Sequence, residues 1–110
     1  MIKVNYTKEN DYYKKIEVLG HALYDDLGKD IVCSAVSSIT TTSVNAVIRL
    51  NEKTIKYMIS SKGLVIDILE KDYVTNTLMD NMINLLKELE TDYPKNISVN
   101  KEEIRWNYES

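Results

Sequence analysis

The sequence has one cysteine, one histidine, one proline and three glycines among 110 residues, and it contains no phenylalanine. A single cysteine excludes a disulfide within the chain, and the N-terminal run MIKVNYTKEN is too polar for a signal peptide. Both features predict a cytoplasmic protein whose thiol stays reduced. The scarcity of glycine and proline leaves no linker or low-complexity segment, so residues 1–110 are expected to form a single domain.

Long apolar runs and an excess of basic residues are missing as well. No run approaches the roughly 20 apolar residues that cross a bilayer, and no membrane association is expected. The net charge is −3 and the lysines are scattered, which argues against direct binding to nucleic acid. A mildly acidic surface suits a basic peptide or protein partner instead.

The apolar content of 44% is enough for a folded core. Alternating apolar and polar residues predict five strands, in residues 2–6, 13–22, 54–60, 64–69 and 97–104. Helical spacing predicts two helices, from Asp30 to Val47 and from Asp72 to about Glu90. The order is β-β-α-β-β-α-β. Because consecutive strands favour antiparallel hairpins, we expect a two-layer α+β fold with a mostly antiparallel sheet and two main helices.

The only histidine, His21, and the only cysteine, Cys33, lie near each other in sequence. His21 falls at the end of the second predicted strand, and Cys33 falls near the start of the first predicted helix. The end of a strand and the start of the next helix normally lie at the same edge of a domain. The sequence therefore permits contact between the imidazole and the thiol.

Such a contact would make the thiol reactive. A helix N-terminus and an adjacent imidazolium both favour the thiolate, which is a strong nucleophile. The protonated histidine can then deliver a proton to a leaving group, and unpaired backbone amides around Cys33 can hold a developing oxyanion. This combination of groups indicates acyl transfer, most simply peptide hydrolysis.

Other interpretations of the same residues stay open. A lone cysteine at a helix start is often a small packed side chain, and a lone histidine is often structural. A metal site is disfavoured because one histidine and one cysteine give two good ligands where structural zinc takes about four. A thiol redox sensor usually has a second, resolving cysteine, which this chain lacks.

Three further residues are candidates for supporting this pair. Asp30 is interpreted first as the N-cap of the first helix, and alternatively as a carboxylate that orients His21. Ser37 lies four residues after Cys33 on the same helix face and is either a substrate contact or a plain surface serine. Gly20, beside His21, leaves room for another group to approach.

The segment from residue 20 to residue 37 carries a specific motif. GHA at 20–22, a short loop, and GKDIVCSAVS at 28–37 together resemble the family of ribosomal-processing cysteine proteases (Prp). The resemblance extends to chain length and element order, although outside residues 20–37 it is one of pattern.

The resemblance implies a small, cytoplasmic, homodimeric cysteine endopeptidase. Such an enzyme removes the N-terminal extension of bacterial large-subunit ribosomal protein twenty-seven, supporting ribosome assembly, and it cuts after an aromatic residue in a short apolar motif. By position, His21 and Cys33 match the catalytic dyad, and Asp30 and Ser37 match supporting positions. Residues 23–29 match a mobile loop, and no cofactor or metal is implied. The alternative is a non-enzymatic, ribosome-associated binding module.

Overall fold

A computed structural model describes residues 1–20 and 27–103, with the backbone alone described for residues 27–30. These residues form five strands and two helices, which are β1 (Ile2–Glu9), β2 (Tyr12–Leu19), α1 (Leu27–Asn51), β3 (Ile55–Ser60), β4 (Gly63–Ile68), α2 (Tyr73–Asp92) and β5 (Ile97–Lys101). The predicted order β-β-α-β-β-α-β is confirmed.

The strands form one mixed sheet in the order β3-β4-β2-β1-β5. The β1–β2, β2–β4 and β3–β4 pairs are antiparallel, whereas β1 and β5 are parallel. The parallel pair forms because β5 returns to the sheet only after α2 has crossed over one face. The α+β fold with a mostly antiparallel sheet is therefore confirmed.

The strand register places the buried side chains on one face of the sheet. Ile16 of β2 is paired both with Tyr6 of β1 and with Ile66 of β4, and all three side chains are buried. Both helices cover this face and contribute buried residues to the same core, namely Val32, Val36, Val44 and Val47 from α1 and Met79, Met82, Ile83 and Leu86 from α2. The result is the expected two-layer arrangement.

Helix α1 is longer at both ends than the sequence predicts. It begins at Leu27 and ends at Asn51, so Asp30 is its fourth residue and not its N-cap. The prediction of an N-cap at Asp30 is therefore wrong. It treated Gly28 as a turn residue that precedes the helix, but one glycine inside a helix costs only about 1 kcal/mol, so the helix can include it.

The serine- and threonine-rich middle of α1 remains helical. The hydroxyl of Thr40 donates to the carbonyl oxygen of Val36 at 2.9 Å, and that of Ser43 donates to Ile39 at 2.7 Å. Both hydroxyls thus bond to carbonyl oxygens of the helix itself, and neither stabilises a non-helical backbone conformation.

By length and composition, α1 contains one stretch long and apolar enough to cross a membrane, Ile31–Asn51. The expectation that no such stretch exists is therefore wrong. Core helices of folded domains meet the same criterion, and Val36 and Val47 of this helix are almost fully buried against the sheet and α2. These valines give α1 one face in the core, while 28% of the apolar stretch is buried.

Helix α2 begins and ends where the sequence predicts. Asp72 is its N-cap, and its carboxylate accepts a hydrogen bond from the backbone N–H of Thr75 at 2.8 Å. At the other end, the Tyr93 N–H donates to the Leu89 carbonyl at 2.8 Å, just before Pro94. Pro94 cannot continue the helical hydrogen bonding, which explains the stop.

Candidate active site

Cys33 lies on α1. It is the seventh residue of the helix and is partly buried, packed against the core. Val32 and Val36, which flank it, are buried. Because its neighbours are anchored in the core, the backbone of Cys33 has a fixed position relative to the sheet.

The helix start lies further from Cys33 than the sequence predicts. The first four amides of a helix lack an intrahelical acceptor, and in α1 these belong to residues 27–30. The amide of Cys33 is used within the helix, so the predicted oxyanion donors around Cys33 are wrong. Any contribution from the helix amides must come from the turn before it.

Gly20 follows directly after β2 and has a conformation that requires glycine. Its φ is +74°, and a Cβ at this position would lie 2.5 Å from the carbonyl oxygen of Met1. The Gly20 N–H donates to the carbonyl oxygen of Lys62, in the turn of the β3–β4 hairpin, at 3.1 Å. The predicted close approach at Gly20 is therefore present, and the group that approaches is the chain's own N-terminal strand.

Several predicted site features lie outside the described residues. They are the position of His21, the side chain of Asp30, and residues 23–26 of the predicted mobile loop. Residues 27–29 of that predicted loop belong to α1, so for these residues the loop prediction is wrong.

A groove of about 300 Å³ runs between α1 and the β3–β4 hairpin. Its lining residues come from both sides, namely Ser37, Thr40, Thr41, Val44 and Asn45 from α1 and Tyr57, Ile59, Ser60, Gly63 and Leu64 from the hairpin. Ser37, one turn after Cys33, therefore lies in a concave site, and its role as a substrate contact stays a prediction.

The same groove is close to the strand that leads to His21. Gly63 lines the groove and is paired with Leu19, the residue before Gly20. A lining residue of the groove is thus the pairing partner of Leu19, two positions before His21, while α1, which carries Cys33, forms the other wall.

The sequence did not predict this groove. Its walls are joined only by tertiary packing, because Ser37 and Tyr57 are twenty positions apart. A signal for it does exist in β3, where Tyr57 and Ile59 are 45% and 73% exposed although they share a face with the buried Ile55. When apolar side chains on the core-facing side of an edge strand are exposed, they indicate a binding site.

Within residues 1–20 and 27–103, no three or more histidine, cysteine, aspartate or glutamate side chains lie close enough together to hold a metal ion.

Comparisons with known proteins match nearly the whole chain. Residues 1–98 match the sequence model of the family described as cysteine protease Prp. The ribosomal processing cysteine protease Prp of Staphylococcus aureus is 33% identical over 107 residues, covering 91% of this chain and 98% of that protein.

Solved structures give the same result for the fold. The S. aureus Prp in complex with a covalently linked product peptide superposes with a TM-score of 0.83 at 25% identity, covering 93% of this chain and all of that one. The same protein in complex with a substrate peptide gives 0.79 at 26% identity, with the same coverage. A Streptococcus mutans protein, at 22% identity and a TM-score of 0.83, covers 94% of this chain and 96% of its own length and shares the fold.

A cysteine one helical turn before a groove residue, on a fold shared with the S. aureus protease structures, agrees with the motif at residues 20–37. The chain belongs to the family of the ribosomal processing cysteine protease Prp, and it is a cysteine protease.

Proposed function

We propose that this protease removes the N-terminal extension of bacterial large-subunit ribosomal protein twenty-seven, with Cys33 as nucleophile and His21 as its acid and base. One observation carries the proposal. The only thiol lies on the helix that borders the groove, one turn from Ser37, and Leu19, the last residue of β2, is paired with the groove residue Gly63. His21, the only imidazole of the chain, lies two positions after Leu19 in the sequence.

The first half of the reaction forms a thioester. The Cys33 thiolate attacks the carbonyl carbon of the scissile peptide bond, and the carbonyl electron pair moves to the oxygen. When that pair returns, the C–N bond breaks, and the His21 imidazolium donates its proton to the leaving amine. The N-terminal fragment remains bound to the sulfur.

The second half releases that fragment. Neutral His21 takes a proton from a water molecule, whose oxygen attacks the thioester carbon. The C–S bond breaks and leaves the Cys33 thiolate with the protonated histidine. The pair is then ready for another substrate, and no metal or cofactor takes part in any step.

The names of the relatives support this substrate class. The S. aureus relative is called a ribosomal processing protease, and its structures hold a substrate peptide and a covalently linked product peptide. Family membership favours the protease over the non-enzymatic binding module. A net charge of −3 also suits a basic ribosomal protein.

The experiment incubates the protein with unprocessed ribosomal protein twenty-seven and follows the intact mass of the substrate. We expect wild type to shorten it at one bond, and Cys33→Ala and His21→Ala to leave it uncut while keeping a native circular dichroism spectrum. Cys33→Ser should also be severely impaired, because an alcohol is far harder to ionise than a thiol. Ser34→Ala, at an exposed neighbour of Cys33, is the matched control and should cut normally. An unchanged substrate mass with wild type would refute the assignment.

A further inference from the structure

The α1 side of the groove carries a row of polar side chains with a regular spacing. Ser37, Thr41 and Asn45 stand at every fourth position and all line the groove. Residues four apart in a helix are separated by about 6 Å along its axis. An extended peptide repeats its backbone groups on one side every two residues, or about 6.6 Å. The row therefore matches the repeat of an extended peptide backbone.

The opposite side of the groove is apolar. Tyr57 and Ile59 project from β3 on the same face, and Leu64 lies opposite Ile59 on β4. Val44 completes this surface from the helix side and is buried. Side chains of an extended peptide alternate in direction, so a peptide that faces the polar row with its backbone can turn alternate side chains toward this wall.

The described lining residues of the groove include no charged side chain. A charged side chain placed there would lose hydration without gaining a partner, which costs free energy. The groove therefore selects uncharged, apolar side chains in the segment that it holds.

We propose that this groove is where the substrate is recognised, with Thr41 and Asn45 hydrogen-bonding the peptide backbone and Tyr57, Ile59 and Leu64 receiving alternate apolar side chains. This inference rests on the proposed function, which supplies the peptide. From Cys33 to Asn45 the helix spans about 18 Å, which corresponds to about five residues of extended peptide.

A peptide fits this groove better than a second copy of the chain does. Stable interfaces between proteins take about 20 to 30 residues from each side. Ten of the described residues line the groove, and five of them belong to α1, the helix that carries Cys33. An uncharged groove of this size, with its nearest helix residue one turn from Cys33, suits an extended segment of substrate.

The test measures binding without cleavage. A fluorescent peptide with the sequence of the ribosomal protein twenty-seven extension is titrated into Cys33→Ala protein, alone and combined with Tyr57→Ala or Ile59→Ala. Both side chains are substantially exposed, so their loss should leave the fold intact. We expect each to weaken binding about tenfold, the effect of a well-placed apolar contact. Met58→Ala is the matched control, because Met58 lies on the same strand facing the other side and is 62% exposed.

The polar row has a different signature. Thr41→Val removes one hydroxyl while keeping the shape, and it should weaken every peptide by about the same factor because it acts on the backbone. In contrast, the effect of Tyr57→Ala should shrink when the apolar peptide residue that it contacts is replaced by alanine. A peptide with aspartate at that position should bind at least about tenfold more weakly.

Failure of this inference can be told apart from failure of the proposed function. If wild type cuts the substrate but Tyr57→Ala and Ile59→Ala show the same kcat/KM as Met58→Ala, the groove proposal is overturned and the protease assignment stands. If the peptide binds in the groove but wild type never cuts it, the substrate assignment falls instead. Light scattering that shows Tyr57→Ala disrupting a dimer, with peptide binding unchanged, would assign the groove to a second copy and overturn the proposal.

Discussion

At the scale of single residues, Tyr13 joins the sheet to α2 through two hydrogen bonds. Its hydroxyl donates to the Asp80 carboxylate at 2.7 Å, and its backbone N–H donates to the side-chain oxygen of Asn76 at 2.8 Å. The ring is almost fully buried and lies 5.5 Å from that of Tyr6. A buried phenol is thus satisfied by a helix far from it in sequence.

Removing only the Tyr13 hydroxyl tests this link. We expect Tyr13→Phe to lower the free energy of unfolding by about 1.5–3 kcal/mol, the usual contribution of one hydrogen bond to a charged acceptor. Urea unfolding followed by circular dichroism measures the change. Tyr93→Phe, at a partly exposed position, is the control and should change stability little. Equal stability of Tyr13→Phe and wild type would show that the bond contributes nothing.

Tyr13 also makes the free energy of unfolding depend on pH. Burial, followed by the hydrogen bond to Asp80, raises the pKa of Tyr13 well above its ordinary value. In the unfolded chain the phenol ionises at about pH 10, whereas in the folded chain it keeps its proton. The contribution of the protonated Tyr13 phenol to the free energy of unfolding is complete below pH 10 and is lost as the pH rises further. The stability difference between wild type and Tyr13→Phe should therefore narrow above pH 10.

At the scale of elements, the N-terminus of α2 is held by a cap and by a bond to the turn before β3. Asp72 caps the helix through Thr75, whose own hydroxyl donates to that of Thr54 at 2.8 Å. Thr54 is fully buried, and its carbonyl accepts a bond from the Leu69 N–H at 2.8 Å. One cap thus supports both the helix and the end of the hairpin that forms the groove.

Asp72→Ala should lower the free energy of unfolding by about 1 kcal/mol, because Thr75 loses its acceptor and the helix loses a favourable negative charge at its start. Asp92→Ala removes the same side chain at the opposite end of α2, where a negative charge is unfavourable. It should leave stability unchanged or raise it by roughly 0.3 kcal/mol. Thermal unfolding of both variants checks the prediction, and an equal loss in the two would contradict a capping role.

Elements with strong local signals were predictable from the sequence, and the start of α1 was not. Asp72 and Pro94 mark the two ends of α2 in the sequence and in the structure, since a cap and a proline act on their immediate neighbours. The start of α1 was placed three residues late because Gly28 resembles a turn residue. The groove was beyond prediction because its two walls meet only after the sheet and α1 have packed together.

At the scale of the whole molecule, the family resemblance predicts a homodimer, which we propose for this chain. Large apolar side chains outside the groove are consistent with a partner surface, since Leu50, Leu69 and Tyr73 are each more than half exposed. Light scattering should give twice the chain mass of 12.7 kDa. A mass of one chain at micromolar concentration would contradict the proposal. The cytoplasmic location remains a further prediction from the single cysteine.

The order of strands and helices was predictable from the sequence because apolar residues alternate in the strands and recur at helical spacing in the helices. The pairing of residues 21 and 33 stays a prediction from residue types and motif. The parallel pairing of β1 with β5 and the conformation of Gly20 depend on contacts between distant segments. Gly20 is explained by the Met1 carbonyl and the Lys62 turn, and neither contact has a signal in the sequence around residue 20.

The most direct test of the account is the rate at which Cys33 is alkylated as a function of pH, in wild type and in His21→Ala. If the imidazole and the thiol act as a pair, the wild-type rate should reach half its maximum well below the ordinary thiol value of about 8.5. The midpoint for His21→Ala should then move up toward that value. A midpoint near 8.5 in both proteins would contradict the pairing and the mechanism built on it.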